Sequence, residues 1–289
     1  MYCIIKTMGY MIKWQKKREL YMMKYITQEE RLNYLVEIFK ADSDEYKGLQ
    51  TPEDVEGKRR ILRSLMNIRM PKMVTEEVLK VQDEYLSGRA VEKGVVDLLD
   101  IPVIRDGLCV WQGDITRLAV DAIVNAANSQ MLGCFVPMHI CIDNCIHSFA
   151  GIQLRAECNE KMNQLRMKYG KNYEQPTAVP MLTDAYNLPA KKVVHIVGPI
   201  VNNKLTPALE KELADCYRNT LDICAENNLK SVAFCCISTG VFHFPNKRAS
   251  EIAVQTVTEW MREHSGMVER VIFNVFKDED KEYYEEQLL

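Results

Sequence analysis

The chain has 289 residues, of which 47% are hydrophobic and 27% are charged, and its formal net charge is -3. This length allows one large or two modest domains, and the mild acidity excludes nucleic-acid binding through a strongly basic face. Ten cysteines without the paired spacings of a disulfide framework, and no secretory apolar segment, predict a cytoplasmic protein with reduced thiols. We expect no nucleic-acid partner, no membrane association and, by default, a monomer.

The first 22 residues combine short apolar stretches with a basic cluster at Lys16, Lys17 and Arg18. Lysines interrupt the apolar stretches, which are therefore too short to span a bilayer. A sequence typical of a capped helix start, Thr-Gln-Glu-Glu, follows at residues 27–30. We therefore predict that residues 1–22 form a disordered extension, and we assign them no function.

Residues 23–100 are predicted to form a helical N-terminal region. Apolar residues recur there at the three- and four-residue spacings of a core-facing helix stripe, as at Leu32, Leu35, Ile38 and Phe39. A second helix is predicted to start at Thr51, with Pro52 in its first turn, and a third near Thr75. These helices carry no obvious chemistry, so we expect them to brace the domain that follows or, alternatively, to select a protein substrate.

Residues 101–289 alternate short apolar runs with longer amphipathic ones. The predicted strands are residues 108–111, 122–126, 178–182, 193–197, 232–237 and 271–276, and the clearest helices cover about residues 206–227 and 246–264. Strands rich in valine and isoleucine that alternate with helices predict an α/β domain with a mostly parallel sheet, covered on both faces. Such sheets bind ligands beyond the carboxyl ends of their strands.

A Cys-x4-His-x-Cys cluster, formed by Cys134, His139 and Cys141, follows the second predicted strand. Two thiolates and an imidazole suit tetrahedral zinc, and three protein ligands leave a fourth position open, as in catalytic sites. Taken alone, the two cysteines are equally well explained as small core residues. Cys145 and His147 follow nearby as possible further ligands, although His147 is more typical of a core or helix-face histidine.

Residues 113–132, GDITRLAVDAIVNAANSQML, resemble the opening of a macrodomain, the fold that binds ADP-ribose. In macrodomains a glycine-rich loop and a Val-Asp-x-x-Ile-His pattern follow the Asn-Ala-Ala-Asn segment, and residues 142–147, IDNCIH, match the second half of this pattern. The Cys/His cluster replaces the glycine run. That replacement resembles the zinc-dependent macrodomain class of microbial proteins, which hydrolyse ADP-ribose from modified proteins. The resemblance covers about residues 107–276.

The resemblance implies a fold and a ligand site. The fold is a three-layer α/β/α macrodomain over residues 101–289, with a mixed, mostly parallel sheet, preceded by the helical region. Asp114 is expected to bind the adenine amine, and residues 238–242 the diphosphate; turn and cap formation are the plainer explanations. The full set of expected ADP-ribose contacts is Asp114, Ile115, Asn128, Cys141, Ile142, Asp143, Asn144, Ser238, Thr239, Gly240, Val241 and Phe242.

The resemblance also implies a catalytic arrangement. One zinc per chain is expected on Cys134, His139 and Cys141, where it would hold a ribose hydroxyl or polarise the leaving group. Asp143 is expected to orient or deprotonate the water that attacks the anomeric carbon, and Asn128 to bind the distal ribose beside it. A helix-capping role is the competing explanation for Asp143.

These expectations predict a glycosidase-type hydrolase (EC 3.2.1.-) that removes mono-ADP-ribose from protein side chains and releases ADP-ribose. The zinc-containing class resembles enzymes that are often paired with a sirtuin-type transferase acting on lipoyl-carrier proteins, which makes such a carrier the candidate substrate. Two alternatives use the same pocket. One is a non-catalytic ADP-ribose reader with a structural zinc, and the other is an O-acetyl-ADP-ribose deacetylase.

Overall fold

The computed structural model describes residues 27–289. The predicted extension, residues 1–22, lies outside the described residues, as do the first four residues of the predicted helical region. The rest of that region folds into three helices, α1 (Gln28–Ala41), α2 (Val55–Ile68) and α3 (Glu76–Lys93). Their apolar faces form a core of their own, which includes Leu32, Leu35, Phe39, Leu62, Leu65 and Tyr85. The predicted apolar stripe of α1 is therefore buried as expected.

Two of the three predicted helix starts are confirmed. The Thr27 hydroxyl accepts a hydrogen bond from the backbone N–H of Glu30, whose carboxylate accepts one from the backbone N–H of Thr27. Thr75 caps α3 through its side chain. The predicted start of α2 at residues 51–52 is wrong, because the carboxylate of Asp54 caps the helix and leaves those residues before it.

Eight strands follow along the chain. They are β1 (Val96–Asp97), β2 (Leu108–Gln112), β3 (Leu118–Ala119), β4 (Ala122–Ala127), β5 (Met181–Asp184), β6 (Lys192–Val197), β7 (Ser231–Phe234) and β8 (Arg270–Val275). Six of them form one sheet in the order β2-β8-β7-β4-β6-β5, in which every pair is parallel except β6 with β5. This is the mixed, mostly parallel sheet that was predicted.

Five helices cover this sheet. They are α4 (Ile142–Ala150), α5 (Ile152–Tyr169), α6 (Pro207–Glu226), α7 (Asn246–Glu263) and α8 (Asp278–Leu288). By their contacts they fall into two groups, since α4 packs on α5 and on α2, whereas α7 packs on both α6 and α8. The predicted α/β fold with helices and a helical N-terminal region is confirmed.

Two predicted strands differ by up to three residues from those of the structure, and the other four agree to within one residue at each end. Residues 178–180 precede β5, with Ala178 in a left-handed conformation at φ +61°. Cys235 and Cys236 follow β7 instead of belonging to it. Ala178 and Cys235 are nevertheless buried, and a sequence pattern does not distinguish burial beside a sheet from strand pairing. The cysteines described by the structure are all free.

The C-terminal helix α8 closes one side of the sheet. Tyr284 is buried and its ring stacks on that of Phe273, with the centroids 4.9 Å apart. The ring of Tyr284 therefore packs on the sheet. Within residues 27–289, no helix combines the length and the apolarity that crossing a membrane requires.

Candidate functional site

The loops that carry the predicted site residues meet at one edge of the sheet. Strands β2, β4, β6, β7 and β8 run parallel, so the segments after them emerge on the same side. Asp114 follows β2, Asn128 follows β4, and Ser238 lies in the loop after β7. The loop after β6 packs closely on that last loop, since a Cβ on Gly198 would lie 2.2 Å from Oγ of Ser238.

The three predicted metal ligands converge in the loop between β4 and α4. The Sγ of Cys134 lies 3.6 Å from Nδ1 of His139, and the ligand atoms of Cys134, His139 and Cys141 all lie within 4.8 Å of one another. Zinc at about 2.3 Å from sulfur and 2.0 Å from nitrogen would separate two tetrahedral ligands by roughly 3.5 Å. The donor set and its spacing therefore fit zinc.

Cys145, considered as a fourth ligand, does not join this group. Its Sγ instead lies 3.5 Å from Nη2 of Arg63, which donates to it. Cys141 caps α4, accepting a hydrogen bond from the backbone N–H of Asn144 at 3.5 Å. Burial, and secondarily the neighbouring Cys134, raise the pKa of the Cys141 thiol to about 12. A metal bound here must therefore displace thiol protons.

Asp143 is 5% exposed and lies directly behind this loop. The Asn125 side-chain amide donates to its Oδ1 at 2.8 Å, and the Asn128 amide donates to its Oδ2 at 3.3 Å. Burial raises the pKa of this carboxyl to about 6, although both amides and the charge of Arg155 oppose the shift. The helix-capping explanation is wrong, because the cap of α4 is Cys141.

A buried polar network formed by His195 and Thr183 contacts the side chain of Asn125. Its amide nitrogen lies 3.0 Å from Nδ1 of His195, and the Nε2 of that ring lies 3.0 Å from the Thr183 hydroxyl. Burial lowers the pKa of His195 to about 3, which keeps the imidazole neutral. His147 is 4% exposed, as expected of a core histidine. Sequence reasoning missed His195, because an apolar strand conceals it.

Asp114 proves to be both a cap and a paired carboxylate. Its Oδ1 accepts hydrogen bonds from the backbone N–H and the hydroxyl of Thr116, at 3.0 and 2.6 Å. Its Oδ2 accepts one from Nζ of Lys93, at 3.3 Å. Burial by itself raises the pKa of Asp114, but the Thr116 hydrogen bonds and the Lys93 charge outweigh it and hold the pKa below its usual range. Ile115 is buried beside it.

The loop after β7 has the features expected of an anion-binding turn. Ser238 adopts a left-handed conformation at φ +64°, and its buried Oγ has no hydrogen-bond partner among residues 27–289. Gly240 faces open space and Val241 is exposed. Helix α7 begins shortly afterwards. No side chain caps it, so the backbone N–H groups of its first turn are not taken up by a capping side chain. Phe242 is half-buried, and its carbonyl accepts from the Val201 amide.

Several functional neighbours come from the helical region, where sequence reasoning expected no chemistry. Lys93 of α3 pairs with Asp114 and lies 3.1 Å from the centre of the Phe149 ring. Arg63 of α2 donates to the carbonyl of His139 at 2.8 Å. These partners are 21 and 76 residues apart in the chain, respectively. No local pattern marks such contacts.

Comparison with known proteins agrees with this architecture. The macro domain family model matches residues 124–253. A protein of Treponema medium named Protein-ADP-ribose hydrolase is 46% identical over 263 residues, which cover 90% of this chain and 98% of the relative. A protein of the same name from Staphylococcus aureus strain MRSA252 is 42% identical over 258 residues, which cover 89% of this chain and 94% of the relative. A mutant macrodomain of Oceanobacillus iheyensis, solved with ADPR, superposes with a TM-score of 0.56 at 36% identity, covering 65% of this chain and 95% of that one.

An α/β fold whose mixed sheet has the predicted site loops at its carboxyl edge is that of a macrodomain. With these relatives, the chain belongs to the macro domain family. Residues 101–289 make up only about two thirds of the 289 residues, whereas the Treponema relative matches 90% of the chain. The similarity to that relative therefore extends through most of the helical region.

Proposed function

We propose that this protein is a zinc-dependent hydrolase that removes mono-ADP-ribose from modified protein side chains and releases ADP-ribose. The observation that carries the proposal is the position of Asp143, a buried carboxylate held by two asparagine amides next to the three clustered metal ligands. The names of the Treponema and Staphylococcus relatives, at 46% and 42% identity, support the hydrolase class. Cleavage at the anomeric carbon would make it a glycosidase-type enzyme.

The loops at the sheet edge are proposed to bind successive parts of ADP-ribose, from the adenine through the diphosphate to the distal ribose. Asp114 would accept from the adenine amine, with the Ile115 amide assisting. The backbone amides of residues 238–242 and the amino end of α7 would receive the diphosphate, because free amides and the helix dipole favour an anion there. The distal ribose would then reach Asn128, whose amide already contacts Asp143.

The ligands Cys134, His139 and Cys141 would hold one zinc per chain. When bound, zinc supplies a Lewis acid that polarises oxygen at the reacting end of the substrate. Asp143 accepts a proton from the water that attacks the anomeric carbon, as the bond between that carbon and the acceptor side chain breaks. Asn125 and Asn128 hold both oxygens of this carboxylate, so its orientation does not depend on the substrate.

The identity of the ADP-ribosylated acceptor protein is a separate proposal. We propose that it is a lipoyl-carrier protein of the cytoplasm, modified by a sirtuin-type transferase, and that the enzyme acts on it as a monomer. A panel of mono-ADP-ribosylated acceptors that differ in the modified side chain and in the carrier tests this choice. Release of ADP-ribose from the carrier at a rate no higher than from unrelated proteins would contradict it.

The central test is metal content and hydrolysis on one purified sample. Untreated, chelator-stripped and zinc-restored protein are compared on a mono-ADP-ribosylated protein, with released ADP-ribose measured over time. Activity that is lost with the metal and returns with zinc is the expected result. Stoichiometric zinc and ADP-ribose binding without turnover on any acceptor would instead identify a reader, and turnover of O-acetyl-ADP-ribose alone would identify a deacetylase.

A further inference from the structure

The segment that carries the metal ligands, residues 128–141, has no regular secondary structure. Its backbone passes through a left-handed conformation at Met138, with φ +59°, which is uncommon for a residue with a side chain. A loop of this kind holds three ligands in register only if other groups restrain it. In this structure two of the restraints come from α2, a helix of the N-terminal region.

Arg63 of α2 is the first restraint. Its Nη2 donates to the carbonyl oxygen of His139 and to Oδ1 of Asn144, both at 2.8 Å. The guanidinium therefore holds the backbone of one candidate ligand directly. It also connects that residue to the first turn of α4, which begins immediately after Cys141.

Asn144 extends the effect of Arg63 to the other end of the loop. Its Nδ2 donates to the carbonyl of Cys134 at 3.3 Å and to that of Val136 at 2.9 Å. Its backbone N–H donates to Sγ of Cys141. Because the Asn144 side chain is buried and is oriented by Arg63, the loop segments of all three ligands are connected to a single guanidinium.

Asn67, one helical turn after Arg63, is the second restraint. Its Oδ1 accepts a hydrogen bond from the backbone N–H of Met138, which has a left-handed conformation, at 3.0 Å. Its Nδ2 donates to the hydroxyl of Ser148 in α4, at 2.8 Å. Residues four apart lie on the same face of a helix, so one face of α2 holds both the loop and the helix that follows it.

Arg155 of α5 secures α2 in this position. Its Nη1 donates to the carbonyls of three residues at the end of α2, Met66, Asn67 and Arg69, at 3.0, 2.8 and 2.6 Å. Its Nε donates to the carbonyl of Leu132, at 2.7 Å, just before Cys134. A cation at the carboxyl end of a helix satisfies free carbonyls and complements the dipole. The end of α2 and the start of the loop thus share one buried charge.

We propose that the helical N-terminal region positions the metal loop, and that Arg63 and Asn67 are positioning residues that preorganise the Cys134, His139 and Cys141 ligands and so raise the affinity of the site for zinc. The inference rests on the proposed function in taking zinc as the metal. Groups that orient metal ligands typically change metal affinity by about 10- to 100-fold. The sequence similarity to the hydrolase relatives extends through most of the helical N-terminal region, which agrees with a role of this region in the site.

The test measures zinc affinity in the full chain by competition with a chromophoric chelator. Arg63→Ala is expected to weaken zinc binding by about tenfold or more. Arg63→Lys, which keeps the charge but has a single nitrogen in place of the guanidinium fork, is expected to lie between this variant and the parent. Arg60→Ala removes an exposed arginine one turn earlier on α2 and is the matched control, expected to bind zinc as the parent does.

Two further readouts separate positioning from general stability. Thermal unfolding of the metal-free proteins reports folding, and ADP-ribose release at rising zinc concentration reports whether the defect is overcome by metal. A lowered zinc affinity in a folded Arg63→Lys protein, with activity restored by excess zinc, supports the inference. Equal zinc affinity in the parent and both Arg63 variants overturns the inference while leaving the proposed function intact. A parent protein that binds no zinc overturns both.

Discussion

The side-chain amide of Asn125 donates a 2.8 Å hydrogen bond to Oδ1 of Asp143, and both residues are shielded from solvent. Asn125 lies on the central strand β4, whose backbone is held by neighbours on both sides. Asp143 lies in the first turn of α4. The bond therefore ties the Asp143 carboxylate, beside the loop that carries Cys134, His139 and Cys141, to the rigid sheet.

Replacement of Asn125 by alanine should lower the rate of ADP-ribose release more than it raises KM. The change removes the donor to Asp143 and leaves a buried carboxylate oxygen unpaired, which costs about 1–3 kcal/mol of stability. We expect kcat to fall by about tenfold or more, because general-base catalysis contributes 10²–10⁴-fold and depends on orientation. Asn163→Ala on the exposed side of α5 is the control. An unchanged kcat in the Asn125 variant would contradict the role of this hydrogen bond.

Asp143 and Cys141 should have separable roles. Asp143→Asn keeps the shape of the side chain but removes the base, so we expect hydrolysis to be lost while zinc content and ADP-ribose binding persist. Cys141→Ala should lose zinc together with hydrolysis. Metal analysis, calorimetric titration with ADP-ribose and a turnover assay on the same preparations measure all three properties. Retained hydrolysis in Asp143→Asn, with loss only in Cys141→Ala, would remove Asp143 from the mechanism.

Zinc should stabilise the folded protein. A ligand that binds only the native state at 100 times its Kd adds about 2.7 kcal/mol to the free energy of unfolding. Chelator treatment is therefore expected to lower Tm, and zinc should restore it, whereas Cys134→Ala should show no shift with either reagent. Thermal scans at matched protein concentration measure this. A Tm that does not respond to zinc in the parent chain would argue against a metal on this loop.

His195 should make the protein less stable in acid. Its pKa in the folded protein is about 3, below the unfolded value of 6.5. Between these two pH values the unfolded chain therefore binds a proton at His195 that the folded protein does not bind. The resulting stability is fully present above pH 6.5 and falls as the pH drops from there towards 3, by up to about 1.4 kcal/mol per unit. Urea unfolding of the chelator-treated protein between pH 7 and 5 should give a shallower pH slope for His195→Gln. His243→Gln, at an exposed position, is the control. Equal pH slopes in the parent, His195→Gln and His243→Gln proteins would refute the contribution of His195 to acid sensitivity.

Features that depend on neighbouring residues were predictable from the sequence. The Thr27 capping box and the Thr75 cap were correctly predicted because a cap is a bond between residues three apart. The start of α2 was misplaced because Thr51 and Asp54 are both acceptable caps. Only the folded backbone shows that Asp54 reaches the amide of Gly57.

The sequence by itself determined the alternation of strands and helices, the Cys-x4-His-x-Cys spacing and the order of the ligand loops, because these depend on side-chain type and local spacing. The tertiary structure decided how the site is held. Arg63, Asn67 and Arg155 bind largely backbone groups in segments 23 to 89 residues away. A backbone carbonyl is the same chemical group at every position in the chain, so no residue pattern marks which one a distant guanidinium or amide will contact. Only the packing of α2 against the loop of residues 128–141 makes that selection.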